Sequence, residues 1–418
     1  MWKYQCKRHL LSLLIGAAVG MLLFGGIIDE ELIDEVVKLN WMPEETVRTL
    51  LSMPWLIGAV IGASALNGVL LLVYLVQKFN VSPMVLFLLF FLMPIFTIIM
   101  AIGMILLIPT IVVCIYGMVT VRNSAAKNFR SLPNGNGNEV ERVYRLHHEF
   151  KEDVSALALK CRKESDRWTA VYVLGLVALI CLTLIIQNLM VMFFVFLLYA
   201  LLTYLFRLRA QSVLPINALL FEQCDPVACA SAILIYSRRG SRLNLKMNLL
   251  FAQCMLYLDD PQLAMDSLVL MRRGNSAAEL NYQSLMAEAN YRLGDQSALE
   301  RNLEAVRSTR VNMGAAGNIM MQDAVAAIQN KINLMNEQFD QCDAYYRQVL
   351  PQMKLRFQLV DAHYYLGMIA FVRRDFDEAS THFSYVVSNA NTMAYHDKAQ
   401  RYLCMMERQL AHQEQEEE

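Results

Sequence analysis

Charged residues are missing from five long stretches of the chain, and all five lie before residue 207. None of the five contains aspartate, glutamate, lysine, arginine or histidine. Each has at least 18 residues, enough for an apolar helix to cross the ~30 Å hydrocarbon layer of a bilayer. Proton relays and ion-coupled carriers need ionisable groups inside the membrane, so the sequence disfavours those functions. The stretches are 10–28, 54–77, 81–121, 168–186 and 189–206.

The sequence also lacks the residue spacings that metal and cofactor sites require. Its nine cysteines include no CxxC pair, and no histidine lies near enough in sequence to complete a zinc ligand set with them. We therefore expect free, reduced thiols, no metal and no cofactor. The net charge of −1 gives no electrostatic reason to expect a nucleic-acid partner.

The sequence has no recognisable nucleophile–base pair and no phosphate-binding loop, which favours a protein without enzymatic activity. We therefore predict no catalytic residue. The segment Gly62-Ala63-Ser64-Ala65 resembles part of the serine motif of rhomboid proteases. That family needs a histidine on a later span, and all seven histidines of this chain lie outside the uncharged stretches. We expect Ser64 to be an ordinary hydroxyl.

The charges between the stretches predict how the spans are oriented. Hydrophobic residues make up 56% of the chain and charged residues 18%, a composition shifted toward membrane proteins. The loop 29–53 is acidic and poor in basic residues, whereas the loop 122–167 carries ten lysines and arginines. Because basic loops stay in the cytoplasm, the first loop is placed outside and the second inside. This requires 81–121, about twice the length of one crossing, to be a hairpin of two spans rather than one tilted helix.

Small residues in the first two spans are spaced for close helix packing. Gly16 and Gly20, and likewise Gly58 and Gly62, form GxxxG pairs, which let helix backbones approach closely. We expect helix–helix packing, and the alternative is an inverted-repeat transporter core. The mid-span amide of Asn67 is expected to hydrogen-bond to a neighbouring helix.

The loop 122–167 divides into a turn and a helical segment. The run 133–138 is a cluster of turn residues, and apolar residues then recur at spacings of four and three, which is typical of one helix face. We expect a helix over 139–167 that bends and lies along the membrane face or against the soluble half. The face consists of Val143, His147, Phe150, Val154, Leu157 and Cys161.

Two segments of the second half nearly repeat each other at an offset of about 34 residues. Asp225-Pro226 and Asp260-Pro261 each have the pattern of a helix N-cap followed by proline in the first turn. Each segment then has a basic pair before a glycine, Gly240 or Gly274, which predicts the helix end. The sequence therefore predicts repeated helix pairs.

The segment 363–387 gives the clearest single unit. Leu366-Gly367 provides a small-residue contact on the first helix, 375–378 forms a turn, and Ala379 and Phe383 pack on the second helix. This pattern resembles the tetratricopeptide repeat (TPR), and the resemblance covers about 220–412. It implies a stack of antiparallel helix pairs, closed by a capping helix over 394–410.

The resemblance implies a concave groove lined by the first helix of each pair, which would bind a cytoplasmic protein or peptide. The family's clamp for chaperone C-termini needs lysine and asparagine, where this chain has Leu249, Gln253 and Tyr257, so that ligand is not expected. Carried over by position, the groove residues are Gln253, Tyr257, Glu288, Tyr291, Arg292, Lys331, Tyr364, Met368 and Phe371.

The sequence thus predicts an all-α protein with a polytopic six-helix transmembrane domain followed by a TPR-like α-solenoid. We expect a multi-pass protein of the cell membrane, in contact with the lipid bilayer, with both termini in the cytoplasm. The predicted segments are 1–121 (spans one to four, with the acidic outer loop 29–53), 122–167 (a cytoplasmic helical loop), 168–209 (a hairpin of spans five and six), 210–412 (the repeats) and 413–418 (a disordered tail).

These features favour a membrane-anchored adaptor or scaffold that recruits a cytoplasmic partner to a membrane complex. The alternative is a subunit of a transport or export system, in which the spans form the path and the repeats dock a partner. Neither the partner nor the oligomeric state follows from the sequence.

Overall fold

The computed structural model describes residues 2–24, 43, 45, 52–79, 93–125, 136–185, 189–271, 276–309, 311 and 315–417. These residues are mostly helical, which confirms the all-α class. The chain divides into two compact units. The first consists of Met1–Asn128, Arg272–Leu280 and Arg307–Asp323, and the second of Phe129–Met271, Asn281–Val306 and Ala324–Glu418.

The first unit contains a group of apolar helices: α1 (Trp2–Phe24), α2 (Pro54–Phe79), α3 (Met93–Ile105) and α4 (Leu107–Ala125). Helix α2 packs against α1 and α3, and α1 also packs against α4. A Cβ atom on Gly20 would overlap the Gly58 carbonyl oxygen, and one on Gly62 would overlap the Gly16 carbonyl oxygen. The two GxxxG pairs therefore face each other, and the packing prediction is confirmed.

Asn67 is fully buried on α2 and bonds to both neighbouring helices. Its Oδ1 atom lies 2.9 Å from Nε2 of His9 on α1, and its amide nitrogen donates to the Gly103 carbonyl oxygen on α3 at 2.8 Å. The predicted hydrogen bond between helices is thus confirmed. Ser64 is also buried, and its hydroxyl has no hydrogen-bond partner among the described residues.

Helix length and composition support fewer spans than the six predicted. Among the described residues, Pro54–Leu72 is long and apolar enough to cross a bilayer. The segments Ile98–Ile105 and Leu107–Val119 meet the same criteria as one broken span, bent by 54°. The predicted hairpin over 81–121 lies outside the described residues as far as residue 92, as does most of the loop 29–53.

The second unit begins with α5 (Gly137–His147), α6 (Ser155–Ile185) and α7 (Leu189–Gln211). The helix over 139–167 was expected to bend, and the structure has a complete break instead, because α5 ends at His147, His148 is extended and α6 begins at Ser155. Two hydrogen bonds hold the segment between α5 and α6. The Tyr144 hydroxyl donates to the Glu149 carbonyl oxygen at 3.1 Å, and the Lys151 N–H donates to the Ser231 hydroxyl at 3.0 Å. Five of the six residues of the predicted apolar face pack against the core of this unit, from both helices and from the segment between them. The sixth, His147, has a half-exposed side chain.

A series of further helices follows along the chain, in which 272–280 and 307–323 belong to the first unit. They are α8 (Leu214–Phe221), α9 (Pro226–Ser237), α10 (Asn248–Tyr257), α11 (Pro261–Val269), α12 (Ser276–Arg292), α13 (Gln296–Ser308), α14 (Ala315–Met335), α15 (Phe339–Val349), α16 (Arg356–Val372), α17 (Phe376–Asn389) and α18 (Ala394–Glu417). A 3₁₀ turn, Leu350–Gln352, precedes α16, and strands β1 (Arg238–Arg239) and β2 (Arg242–Leu243) form an antiparallel hairpin after α9.

Five helix–helix turns in this series share one backbone geometry. Each contains a residue with φ between 52° and 72°, and the next residue's N–H donates to a carbonyl oxygen five or six residues earlier. This is the left-handed helix ending that allows an abrupt reversal of the chain. The positive-φ residues are Cys224, Asp259, Gly294, Glu337 and Arg374. Helix pairs are therefore joined at equivalent positions.

The predicted N-caps are confirmed. The side chain of Asp225 accepts the Ala228 N–H at 2.9 Å, and that of Asp260 accepts the Leu263 N–H at 3.0 Å. In the 363–387 unit, a Cβ atom on Gly367 would lie 3.0 Å from the Phe383 ring, so the small residue makes room for the aromatic one.

Two predicted helix ends differ in the structure. The helix expected to reach Gly240 ends at Ser237, because the chain then forms the two-residue strands with Gly240 at φ +60° in their turn. Gly274 lies outside the described residues. At the C-terminus, 413–417 continue α18 where disorder is expected, since glutamine and glutamate are good helix formers.

Candidate binding site

The early and late helices of the series in the second unit contact each other. The rings of Phe221 on α8 and Phe357 on α16 stack with centroids 5.0 Å apart, and the Thr392 hydroxyl donates to the Asp225 carboxylate at 2.7 Å. Repeats that contact only their sequence neighbours leave an open groove. In this unit, residues far apart in sequence are in contact, and a cavity lies among the helices.

The cavity has a volume of about 220 Å³ and is lined by helices α10, α12, α14, α15 and α16. Its wall combines charged, amide and aromatic side chains on the faces of five different helices. The lining residues are Gln253, Leu256, Tyr257, Ser284, Leu285, Glu288, Arg292, Ala327, Asn330, Lys331, Tyr345, Tyr346, Met353 and Asp361.

Two acidic and two basic side chains form a connected network at this cavity. Glu288 lies between the two cations, with its carboxylate 3.0 Å from Nε of Arg292 and 3.3 Å from Nζ of Lys331. Arg292 donates to the Tyr395 hydroxyl at 2.7 Å, and that hydroxyl donates to Asp361 at 2.8 Å. Arg292 also lies 3.5 Å from the more exposed Asp259, which pairs with Lys398, so the formal charges balance with or without this second pair.

Lys331 is held by aromatic rings as well as by Glu288. Its ammonium lies 3.8 Å from the ring centroid of Tyr365 and 4.9 Å from that of Tyr291, which is the geometry of a cation–π contact. Tyr365 in turn stacks on Tyr346 at 5.2 Å. The charged network is therefore embedded in tyrosines from four helices rather than exposed to water.

The two carboxylates of the network respond oppositely to their surroundings. Burial raises the pKa of Glu288, but Lys331 and Arg292 outweigh this, so the net pKa lies below its usual range. For Asp361 burial is again the largest influence, and the attraction of Lys331 does not overcome it, so the pKa is raised. Glu288 is the anion that balances the cations, and Asp361 is ionised at a cost.

Asn330 provides unused hydrogen-bonding capacity in the cavity wall. It is 2% exposed, and neither its amide oxygen nor its amide nitrogen has a partner among the described residues. A buried amide without partners costs free energy, and because neither amide atom is exposed, a ligand in the cavity would reach it only after the side chain turned.

The structure brings together five of the nine residues predicted to line a groove: Gln253, Tyr257, Glu288, Arg292 and Lys331 all line the cavity. Tyr291 lies behind it, against Lys331. The other three are in helix packing: Tyr364 stacks on Tyr395 at 4.2 Å, Phe371 contacts Tyr402 at 5.0 Å, and Met368 packs against the apolar core.

Comparison with protein-family models, with curated proteins and with solved structures finds no match to this chain. What the cavity does must therefore be argued from its own chemistry.

The sequence analysis missed Asp361 and Asn330. Its clearest unit starts at His363, whereas α16 begins at Arg356 and carries Asp361 one turn before Tyr365. A signal was present, because Phe357, Asp361 and Tyr365 recur every four residues and place a carboxylate inside an otherwise aromatic face. Asn330 carries no comparable signal, since a single amide on a helix is ordinary.

Proposed function

We propose that this chain is a membrane-anchored adaptor whose repeat half holds a cytoplasmic protein or peptide partner at the charged cavity. The observation that carries the proposal is the cavity itself, which gathers a charge-balanced network and several tyrosines from five helices around one space.

The size of the cavity limits what it can hold. Sites for drug-sized small molecules have volumes of roughly 300–1,000 Å³, and this one is about 220 Å³. It therefore suits a single anchoring side chain of a partner segment. An uncharged anchoring side chain would enter without disturbing the balance of Glu288 and Lys331.

The TPR-like solenoid and the six spans are parts of this proposal. The five equivalent turns support a repeated helix pair, because they recur after Cys224, Asp259 and Gly294 and again after Glu337 and Arg374. The uncharged stretches and the facing GxxxG pairs support a lipid-embedded first half, with both termini in the cytoplasm.

A cavity-filling substitution tests the function. In Ala327→Phe the new ring enters the cavity, whereas Ala326 is exposed on the same helix, so Ala326→Phe is the matched control. The full chain is tagged, cross-linked in cells, solubilised in detergent and purified, and the captured proteins are identified by mass spectrometry. We expect one set of partners to be captured by wild type and by Ala326→Phe and lost from Ala327→Phe.

Circular dichroism and thermal unfolding of each variant establish that it is folded before capture is compared. Capture of the same partners by folded Ala327→Phe would show that the cavity is not their docking site. Absence of any specific partner from the wild-type sample would count against the adaptor function as a whole.

A further inference from the structure

Two adjacent histidines and an aspartate converge outside the charged cavity, within the second unit. Nδ1 of His147 lies 2.9 Å from Oδ2 of Asp260, and Nε2 of His148 lies 3.2 Å from the same oxygen. The three potential ligand atoms all lie within 4.8 Å of one another. The cluster joins the end of α5 to the start of α11.

The backbone fixes each member of this cluster. His147 is the last residue of α5, and His148 follows it in an extended conformation, so the two rings leave the chain in different directions and converge on one point. Oδ1 of Asp260 accepts the Leu263 N–H as the N-cap of α11, which leaves Oδ2 directed at the imidazoles. The carboxylate therefore has a fixed orientation and one free ligand atom.

We propose that His147, His148 and Asp260 form a binding site for a divalent transition-metal ion, with Zn²⁺ as the best fit. Two imidazole nitrogens and one carboxylate oxygen are the ligand types that zinc accepts in sites with three protein ligands. Zinc bonds of about 2.0–2.2 Å place tetrahedral ligand atoms roughly 3.3 Å apart, close to the two nitrogen–oxygen distances observed here. Small movements of the half-exposed His147 ring are enough to admit the ion.

The exposure of the cluster determines the fourth coordination position. The side chain of His148 is 14% exposed and that of Asp260 14%, whereas that of His147 is 54% exposed. The ion is therefore reached by water from the His147 side, and a water molecule or a donor from a partner completes the coordination. The bound metal fastens α5 to α11.

The equivalent aspartate of the preceding helix pair shows what is specific to this position. Asp225 is also an N-cap followed by proline, but its second carboxylate oxygen receives the Lys151 ammonium at 2.7 Å. An ammonium supplies positive charge and no lone pair, so it cannot ligate a metal. At Asp260 two imidazoles occupy the corresponding place and supply the nitrogen lone pairs that metals need.

Metal titration of the full chain tests this proposal. The protein is purified in detergent, treated with a chelator, and titrated with Zn²⁺ by calorimetry and with Co²⁺ by visible spectroscopy. We expect one equivalent of each ion to bind, with cobalt ligand-field bands and no sulfur-to-cobalt charge-transfer band. Thermal unfolding is expected to shift to higher temperature with zinc, because a ligand that binds the folded state stabilises it.

The variants are chosen to preserve the fold. Asp260→Asn keeps an N-cap but removes the anionic ligand, and His148→Gln keeps a polar side chain but removes the imidazole. Loss of a residue that only hydrogen-bonds to a metal ligand weakens metal affinity by about 10–100-fold. Loss of a ligand itself is therefore expected to weaken it by more than about 100-fold. Asp225→Asn makes the same change at the equivalent cap and is expected to retain wild-type affinity.

The proposal is overturned if the wild-type chain binds no zinc. It is equally overturned if cobalt shows thiolate charge-transfer bands, or if Asp260→Asn and His148→Gln bind as tightly as wild type. None of these outcomes depends on whether the charged cavity recruits a partner.

Discussion

At the scale of single residues, the charged cavity contains two carboxylates, and neutralising one or the other is expected to change the stability of the fold in opposite directions. Glu288 has a lowered pKa, so its ionised form stabilises the folded chain at neutral pH, and that stability is lost as the pH falls through its titration. Asp361 has a raised pKa, so its ionisation reduces stability as the pH rises.

We therefore predict that Glu288→Gln lowers the free energy of unfolding by about 3 kcal/mol, because it leaves two buried cations with one fewer anion. Asp361→Asn is expected to leave it unchanged or slightly higher at pH 7, since asparagine still accepts the Tyr395 hydroxyl. Chemical denaturation of the full chain in detergent measures both. Equal damage from the two substitutions would contradict the opposite roles assigned to Glu288 and Asp361.

A second prediction concerns two histidines in contact between α16 and α17. Nδ1 of His363 lies 2.8 Å from Nδ1 of His382, with Glu378 and Arg347 as the neighbouring charges. Burial, and secondarily the charge of His382, lower the pKa of His363 to about 4. The unfolded chain therefore binds more protons, and stability is expected to fall as the pH drops from about 6.5 toward 4.

The substitution His363→Phe preserves stacking on Tyr385, at 4.0 Å, and cannot be protonated. It is expected to flatten the loss of melting temperature between pH 6.5 and pH 4. His396→Phe, at a position beside Asp397, provides the control and should leave that slope as in wild type. An unchanged slope in His363→Phe would place the acid sensitivity elsewhere.

At the scale of elements, the five equivalent turns differ in how well their residues suit positive φ. Gly294 suits its φ of 72°, whereas Glu337 adopts 57° with a side chain, which costs about 1–2 kcal/mol relative to a right-handed conformation. Glycine removes that cost but adds flexibility to the unfolded chain, so the net gain is smaller.

We predict that Glu337→Gly raises the free energy of unfolding by about 0.5–1 kcal/mol. Gly294→Ala should lower it by about 1 kcal/mol through backbone strain alone, because a Cβ atom there would meet nothing within 4 Å. Denaturant titration of both variants measures these changes. A destabilised Glu337→Gly would mean that the glutamate side chain makes a contribution larger than the strain.

What the sequence reveals about these elements depends on how local the cause is. The Asp225 and Asp260 caps act within one turn, and the GxxxG spacing and the mid-span amide of Asn67 are visible on a single helix, so these features were predictable. Which helix each of them contacts was not. The break after His147 was not, because a continuous apolar spacing runs through it. The break depends on Tyr144 and Lys151 bonding to a helix about 80 residues later.

At the scale of the whole molecule, the same limit applies to the cavity. Five of its predicted residues could be placed on helix faces by position in the repeat. That helices α10 and α16 meet beside this cavity, where Tyr257 contacts Phe357 at 5.9 Å, is a contact between distant segments that no local pattern encodes. The predicted number of spans likewise depends on how charges are distributed along the whole chain, and no single helix determines it.

Cysteine labelling tests the predicted placement of the C-terminus. Of the cysteines whose side chains the structure describes, seven are buried and Cys404, on α18, is exposed. We predict that a membrane-impermeant maleimide fails to label Cys404 in intact cells and labels it after permeabilisation. The Cys404→Ser variant identifies that signal by abolishing it. Labelling of Cys404 in intact cells would place the repeats on the outer side.

The uninterrupted course of α6 has a mechanical consequence. Its first turns are built into the second unit, where Ala158 and Cys161 are buried and Ser165 accepts a hydrogen bond from Tyr236. The same rod then continues without a hinge to Ile185, a total of roughly 46 Å at 1.5 Å per residue. If its far end lies in lipid, any tilt or rotation imposed there is transmitted to the second unit and its charged cavity. If that cavity binds a partner as proposed, the orientation of the partner would report the state of the bilayer.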